Sequence, residues 1–115
     1  MDLGKGAIMA MTMFEIDSYR VFHMTDSFGQ SAIIHCYQDG VVKGGLFFYK
    51  DGMTIPQSSR SSSGELNLMF QEKHLVEVLG TLRLEKPLFV WLNDSSTRPY
   101  GGLSTSGEPV GEEET

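Results

Sequence analysis

Two Asp-Gly pairs, Asp39-Gly40 and Asp51-Gly52, stand twelve residues apart, each between apolar runs. A two-residue hairpin turn that matches the twist of its strands needs positive φ at both central positions, and Asp-Gly is one of the few pairs that accept it. The spacing therefore predicts a three-stranded antiparallel meander built from Ser31 to Tyr37, Val41 to Lys50 and Met53 to Pro56. The turns also imply a register. With Asp39-Gly40 at the tip, Tyr37 faces Val42, His35 faces Gly44 and Ile33 faces Leu46.

Residues paired across a ladder share a face. One face then carries Ile33, His35, Tyr37, Val42, Gly44, Leu46, Phe48 and Ile55; the other carries Ala32, Ile34, Cys36, Lys43, Gly45, Phe47, Tyr49 and Thr54. Neither set is polar, whereas an antiparallel sheet with one wet face alternates cleanly. The second face needs cover from another sheet layer, from the N-terminal strands or from a second copy of the chain.

Outside the meander, Tyr19, Val21, Phe22 and Met24 read as an earlier strand, residues 57–64 as a polar loop, and Leu66, Leu68 and Phe70 as one side of a further strand. At Glu72 the period changes. Leu75, Val78, Leu79 and Leu82 fall at i, i+3, i+4 and i+7, the stripe of an amphipathic helix. Gly80 inside that helix implies close approach to the sheet. Pro87 stops the helix, Leu88 to Leu92 reads as a buried strand, and Tyr100 to Thr105 as the last one. The fold class is α+β: a bent, mostly antiparallel β-sheet of about six or seven strands with one α-helix near residues 72–83. The expected core is Ile33, Leu46, Phe48, Ile55, Leu68, Phe70, Leu75, Val78, Leu79, Leu82, Val90 and Leu92.

A chain of 115 residues with 40% hydrophobic and 21% charged residues makes one globular domain. The expected division is a flexible leader over 1–11, a single domain over 12–106 and a flexible acidic tail over 107–115. Glu108, Glu112, Glu113 and Glu114 supply four of the fifteen acids, which leaves 9 cationic against 11 acidic residues in the rest of the chain. The net charge of −6 argues against a broad phosphate-binding surface, so nucleic acid is an unlikely partner. Cys36, the single cysteine, cannot close an intrachain disulfide, and no stretch approaches the ~20 apolar residues of a membrane helix. A cytoplasmic protein is the expectation.

No constellation in the sequence carries a reaction. His23, His35, His74 and Cys36 lack metal-ligand spacing, and no phosphate-cradling loop or nucleophile elbow is present. Neither a metal nor a cofactor is expected, and the balance leans away from an enzyme. Two sites remain as hypotheses. His35 opposite Gly44, with Tyr37 two residues along, forms a small ligand site if the glycines mark a bulge or a close approach. Ile34, Phe47, Tyr49 and Trp91 form an interface if the second face is covered by another chain. The expectation is a small interaction or regulatory module acting as a homodimer; the alternative is a domain that binds a small ligand or single-stranded nucleic acid on the sheet face.

Overall fold

The computed structural model describes residues 11–27, 29–95 and 97–105. Apart from Met11, which opens the first strand, the expected leader and acidic tail lie outside the described residues. The chain runs β1 (Met11–Ile16), β2 (Ser18–Ser27), β3 (Gln30–Gln38), β4 (Val41–Tyr49), β5 (Ser59–Arg60), β6 (Leu66–Gln71), a 3₁₀ turn (Glu72–His74), α1 (Leu75–Leu84), β7 (Leu88–Asn93) and β8 (Tyr100–Ser104). The α+β class holds, with the strands split over two sheets rather than bent into one. A three-stranded antiparallel sheet, ordered β1-β7-β8, faces a five-stranded sheet, ordered β2-β3-β4-β6-β5.

The meander is present one strand earlier than expected, as β2-β3-β4. Asp39-Gly40 forms its tip, with φ of 52° and 81°, the double positive φ for which this pair is suited. Asp51-Gly52 also reverses the chain: Gly52 has φ 87° and Met53 N–H donates to the Lys50 carbonyl at 3.1 Å. Residues 53–56 do not run back along β4, however. β6 takes that place, parallel to β4, setting Leu66, Leu68 and Phe70 beside Gly44, Leu46 and Phe48. The physical reason is burial: three large apolar side chains fill the inner face, with Phe70 stacked on Phe48 at 5.0 Å, where a short segment ending in Pro56 would bring little and lack a ladder donor.

The predicted register holds through Gln38↔Val41 and Tyr37↔Val42 and then slips by one, to Cys36↔Gly44, His35↔Gly45, Ile34↔Leu46 and Ile33↔Phe47. Lys43 is the extra residue of a β-bulge, and its Nζ lies 4.9 Å above the Phe14 ring. The slip exchanges the faces of β3. Ala32, Ile34 and Cys36 enter the core with Leu46 and Phe48, while Ile33, expected inside, turns outward. From the other sheet Ile16, Leu88, Val90 and Leu92 meet them, and Val78 and Leu82 of α1 join the same cluster. A Cβ on Gly44 would sit 3.3 Å from Val90 Cγ2, so this glycine lets the two sheets close. Gly80 shows no such crowding: a Cβ there meets nothing within 4 Å.

Asp17 turns the chain from one sheet into the other. Its N–H donates to the Tyr37 carbonyl at 2.8 Å while the next residue, Ser18, pairs with Tyr37. Two residues opposite one bend the strand, which is how a chain changes sheets at a corner. The Asp17 carboxylate also accepts the Asp39 N–H at 2.7 Å, tying the corner to the hairpin tip.

Candidate functional site

Alternation along β2, β3, β4 and β6 places Arg20, Phe22, Ile33, His35, Tyr37, Phe47 and Met69 on the outer face of the five-stranded sheet. The aromatic residues form a row. The His35 ring lies 5.0 Å from Phe22 and 6.4 Å from Tyr37, edge-on to the latter. The Arg20 guanidinium sits 5.9 Å from the Phe22 centroid, within cation–π range. Phe22 is 37% exposed; Ile33, His35, Tyr37, Phe47 and Met69 are half-buried. Among the described residues the half-buried His35 makes no hydrogen bond.

Of the proposed ligand residues, His35 and Tyr37 come together and Gly44 does not. Gly44 points into the core, and Gly45 stands opposite His35. The Phe47 ring lies over Gly45, with Cε1 2.9 Å from where a Cβ would be, so an aromatic side chain fills the expected gap. The proposed interface residues scatter. Ile34 is fully buried between the layers. Tyr49 is buried at the end of β4, its hydroxyl accepting from Gln30 Nε2 at 3.1 Å. Trp91, only 6% exposed, lies on the outer face of the three-stranded sheet, where its ring meets Tyr100 edge-on at 5.8 Å and its Nε1–H has no partner among the described residues. Phe47 alone of the four lies on the aromatic face.

Sequence reading missed a second concavity. A cleft of about 710 Å³ opens at the Asp17 corner, between the start of β2 and the end of α1; Ile16, Tyr19, Leu82 and Leu88 line it, with Glu15, Arg83 and Lys86 also on its walls. Both charge signs are present, and the Asp17 carboxylate is already engaged with Asp39 N–H. No local signal marks this cleft, because it exists only once β1 and β2 part into different sheets.

Reactive groups are few. Burial pushes the Cys36 thiol up to about 12, which removes it as a nucleophile at neutral pH. His74 Nδ1 and Glu77 Oε1 are 3.2 Å apart, a surface pair one turn apart in the chain. Among the described residues no cluster of three or more His, Cys, Asp or Glu is placed to hold a metal ion, and no helix is long and apolar enough to cross a membrane. No protein-family model, curated protein or solved structure matches the chain.

Proposed function

We propose that this chain is a non-enzymatic interaction module that works as a homodimer and presents the outer face of its five-stranded sheet as its contact surface. The observation that carries the reading is the aromatic row. The His35 ring lies in contact with both Phe22 and Tyr37, and Arg20 stands over Phe22 at one end of the row. The opposite face of the same sheet is spent on the core, which leaves the outer face, among the described residues, as the side available for association. Aromatic side chains and Arg are the residue types enriched where proteins meet, and each ring withdrawn from water contributes ~1.5–3 kcal/mol.

The test is native mass spectrometry of the full chain over a micromolar concentration series, beside Phe22→Asp. The wild-type chain is expected to give a dimer and Phe22→Asp a folded monomer. A wild-type monomer throughout the series overturns the reading.

The same row favours one second reading, binding of single-stranded nucleic acid, because bases stack on rings with a cation alongside. Salt-sensitive binding of a labelled oligonucleotide, lost in Phe22→Ala, would favour it; a flat titration at low salt would remove it.

A further inference from the structure

β2 ends the five-stranded sheet with no strand beyond it among the described residues. In a two-residue hairpin the pair that closes the turn, here Gln38 and Val41, is hydrogen-bonded. Along β3, Gln38, Cys36 and Ile34 therefore turn their backbone groups toward β4, and Tyr37, His35 and Ile33 turn theirs toward β2. The register gives Ser18, Arg20 and Phe22 as the partners of those three. Tyr19, Val21 and His23 consequently direct their N–H and C=O groups away from the sheet, and among the described residues no strand lies on that side. The opposite edge is different: β5 is two residues long, and its Arg60 is bound to Thr12 and Asp94.

An open edge calls for another strand, and these residues specify which one. We propose that two copies of this chain pair β2 to β2, antiparallel about Val21, through the backbone groups of Tyr19, Val21 and His23. Three open residues centred on Val21 match themselves under a two-fold axis: Tyr19 meets His23 of the other copy, and Val21 meets Val21. All three open rungs are then used in each copy. The intervening pairs set Arg20 of each copy opposite Phe22 of the other on the outer face, where side chains approach most closely. Arg20 already packs over its own Phe22, so each guanidinium would lie between two rings. A register shifted to oppose Arg20 with Arg20 would place like charges face to face. The result is a continuous sheet across both copies, with the two aromatic rows joined.

This inference rests on the homodimer reading but moves its seam from the outer face to the edge of β2, leaving the joined aromatic rows facing outward. Hydrogen exchange and native mass spectrometry on the full chain, above and below its dissociation midpoint, test it. The amides of Tyr19, Val21 and His23 are expected to gain protection on dimerisation. Val21→Pro removes a donor that β3 does not use and both reciprocal bonds of the central pair, so self-association should weaken by about 100-fold. Unchanged exchange at these three amides in a dimer overturns the seam whether or not the variant folds. If in addition Phe47→Asp dissociates that dimer, the outer face is the seam and the homodimer reading survives. A chain that stays monomeric at every concentration overturns both.

Discussion

Replacing Gly80 by Ala should make this protein more stable. Gly80 lies inside α1 with helical neighbours on both sides, and a Cβ built there has no atom within 4 Å. The methyl group therefore enters open space, and the remaining terms favour alanine. Glycine in a helix interior costs ~0.8–1.0 kcal/mol relative to Ala, partly because the unfolded chain with glycine has more freedom to lose. With some loss to local solvation, the gain should be about 0.5–1 kcal/mol, which in a domain of this size raises Tm by about 2–4 °C. Thermal unfolding by circular dichroism and a urea midpoint measured in parallel are the assays. The argument also separates two explanations for a glycine in this helix. If the residue were needed for close packing on the sheet, as its sequence position implies, Gly80→Ala would lower both the Tm and the midpoint. That result would refute the packing described here.

The same substitution should have the opposite sign at Gly101. There a Cβ would press on the Trp91 carbonyl and lie 2.9 Å from Leu92 Cα and 3.0 Å from Leu68 Cδ2, so Gly101→Ala should cost about 1–3 kcal/mol in a urea titration; an unshifted midpoint would contradict it. Arg60→Ala should lose about 1–2 kcal/mol, because the guanidinium joins the sheets through Thr12 and through Asp94 at 3.0 Å. Arg60→Lys should not restore it, since one ammonium does not reproduce the two-pronged contact; full rescue by Lys counts against the geometry. Cys36 predicts a pH effect. Its thiol is held at about 12 in the fold, above its ordinary 9.0, so the unfolded chain releases the proton first and stability falls as pH rises from about 9 to 12. Unfolding free energies that run parallel for the wild-type chain and Cys36→Ala across that range would show that the thiol contributes nothing.

What was legible in the sequence was what local chemistry decides. Asp39-Gly40 names its turn because two successive positive φ angles exclude nearly everything else, and α1 is visible because Leu75, Val78, Leu79 and Leu82 keep one period. The second turn was legible as a reversal, but the strand that fills the place beside β4 was not. β6 arrives in parallel after a loop, and parallel neighbours share no tight turn that sequence can mark. The largest change came from one residue. Lys43 bulges, and every partner beyond it moves to the other face, which carries Ile34 inward and Ile33 outward. The corrective signal lay in β3 itself, where Ala32, Ile34 and Cys36 are small or aliphatic and the alternate positions include the polar-tipped His35 and Tyr37. As for the candidate site, His35 and Tyr37 were found together because they are two residues apart on one strand. Gly44 lies beyond the bulge and therefore on the opposite face, and no local signal in the sequence marks the extra residue.

The division of the first strand at Asp17 also orders assembly. β2 can pair with β3 as soon as the residues just after it are available, and β4 follows from the next turn. β1 cannot: its ladder runs from Met11↔Asn93 to Ile16↔Leu88, nearly the full length of the domain away. On a ribosome the meander therefore emerges with Ile34, Leu46 and Phe48 facing water, and residues 11–16 stay without their partner until β7 has left the exit tunnel. Contacts of such high sequence separation slow the final step of folding, and a half-made sheet with an apolar face is the species most prone to aggregate. Expression at low temperature, or with a chaperone that shields apolar surface, should raise the soluble yield of this protein for that reason.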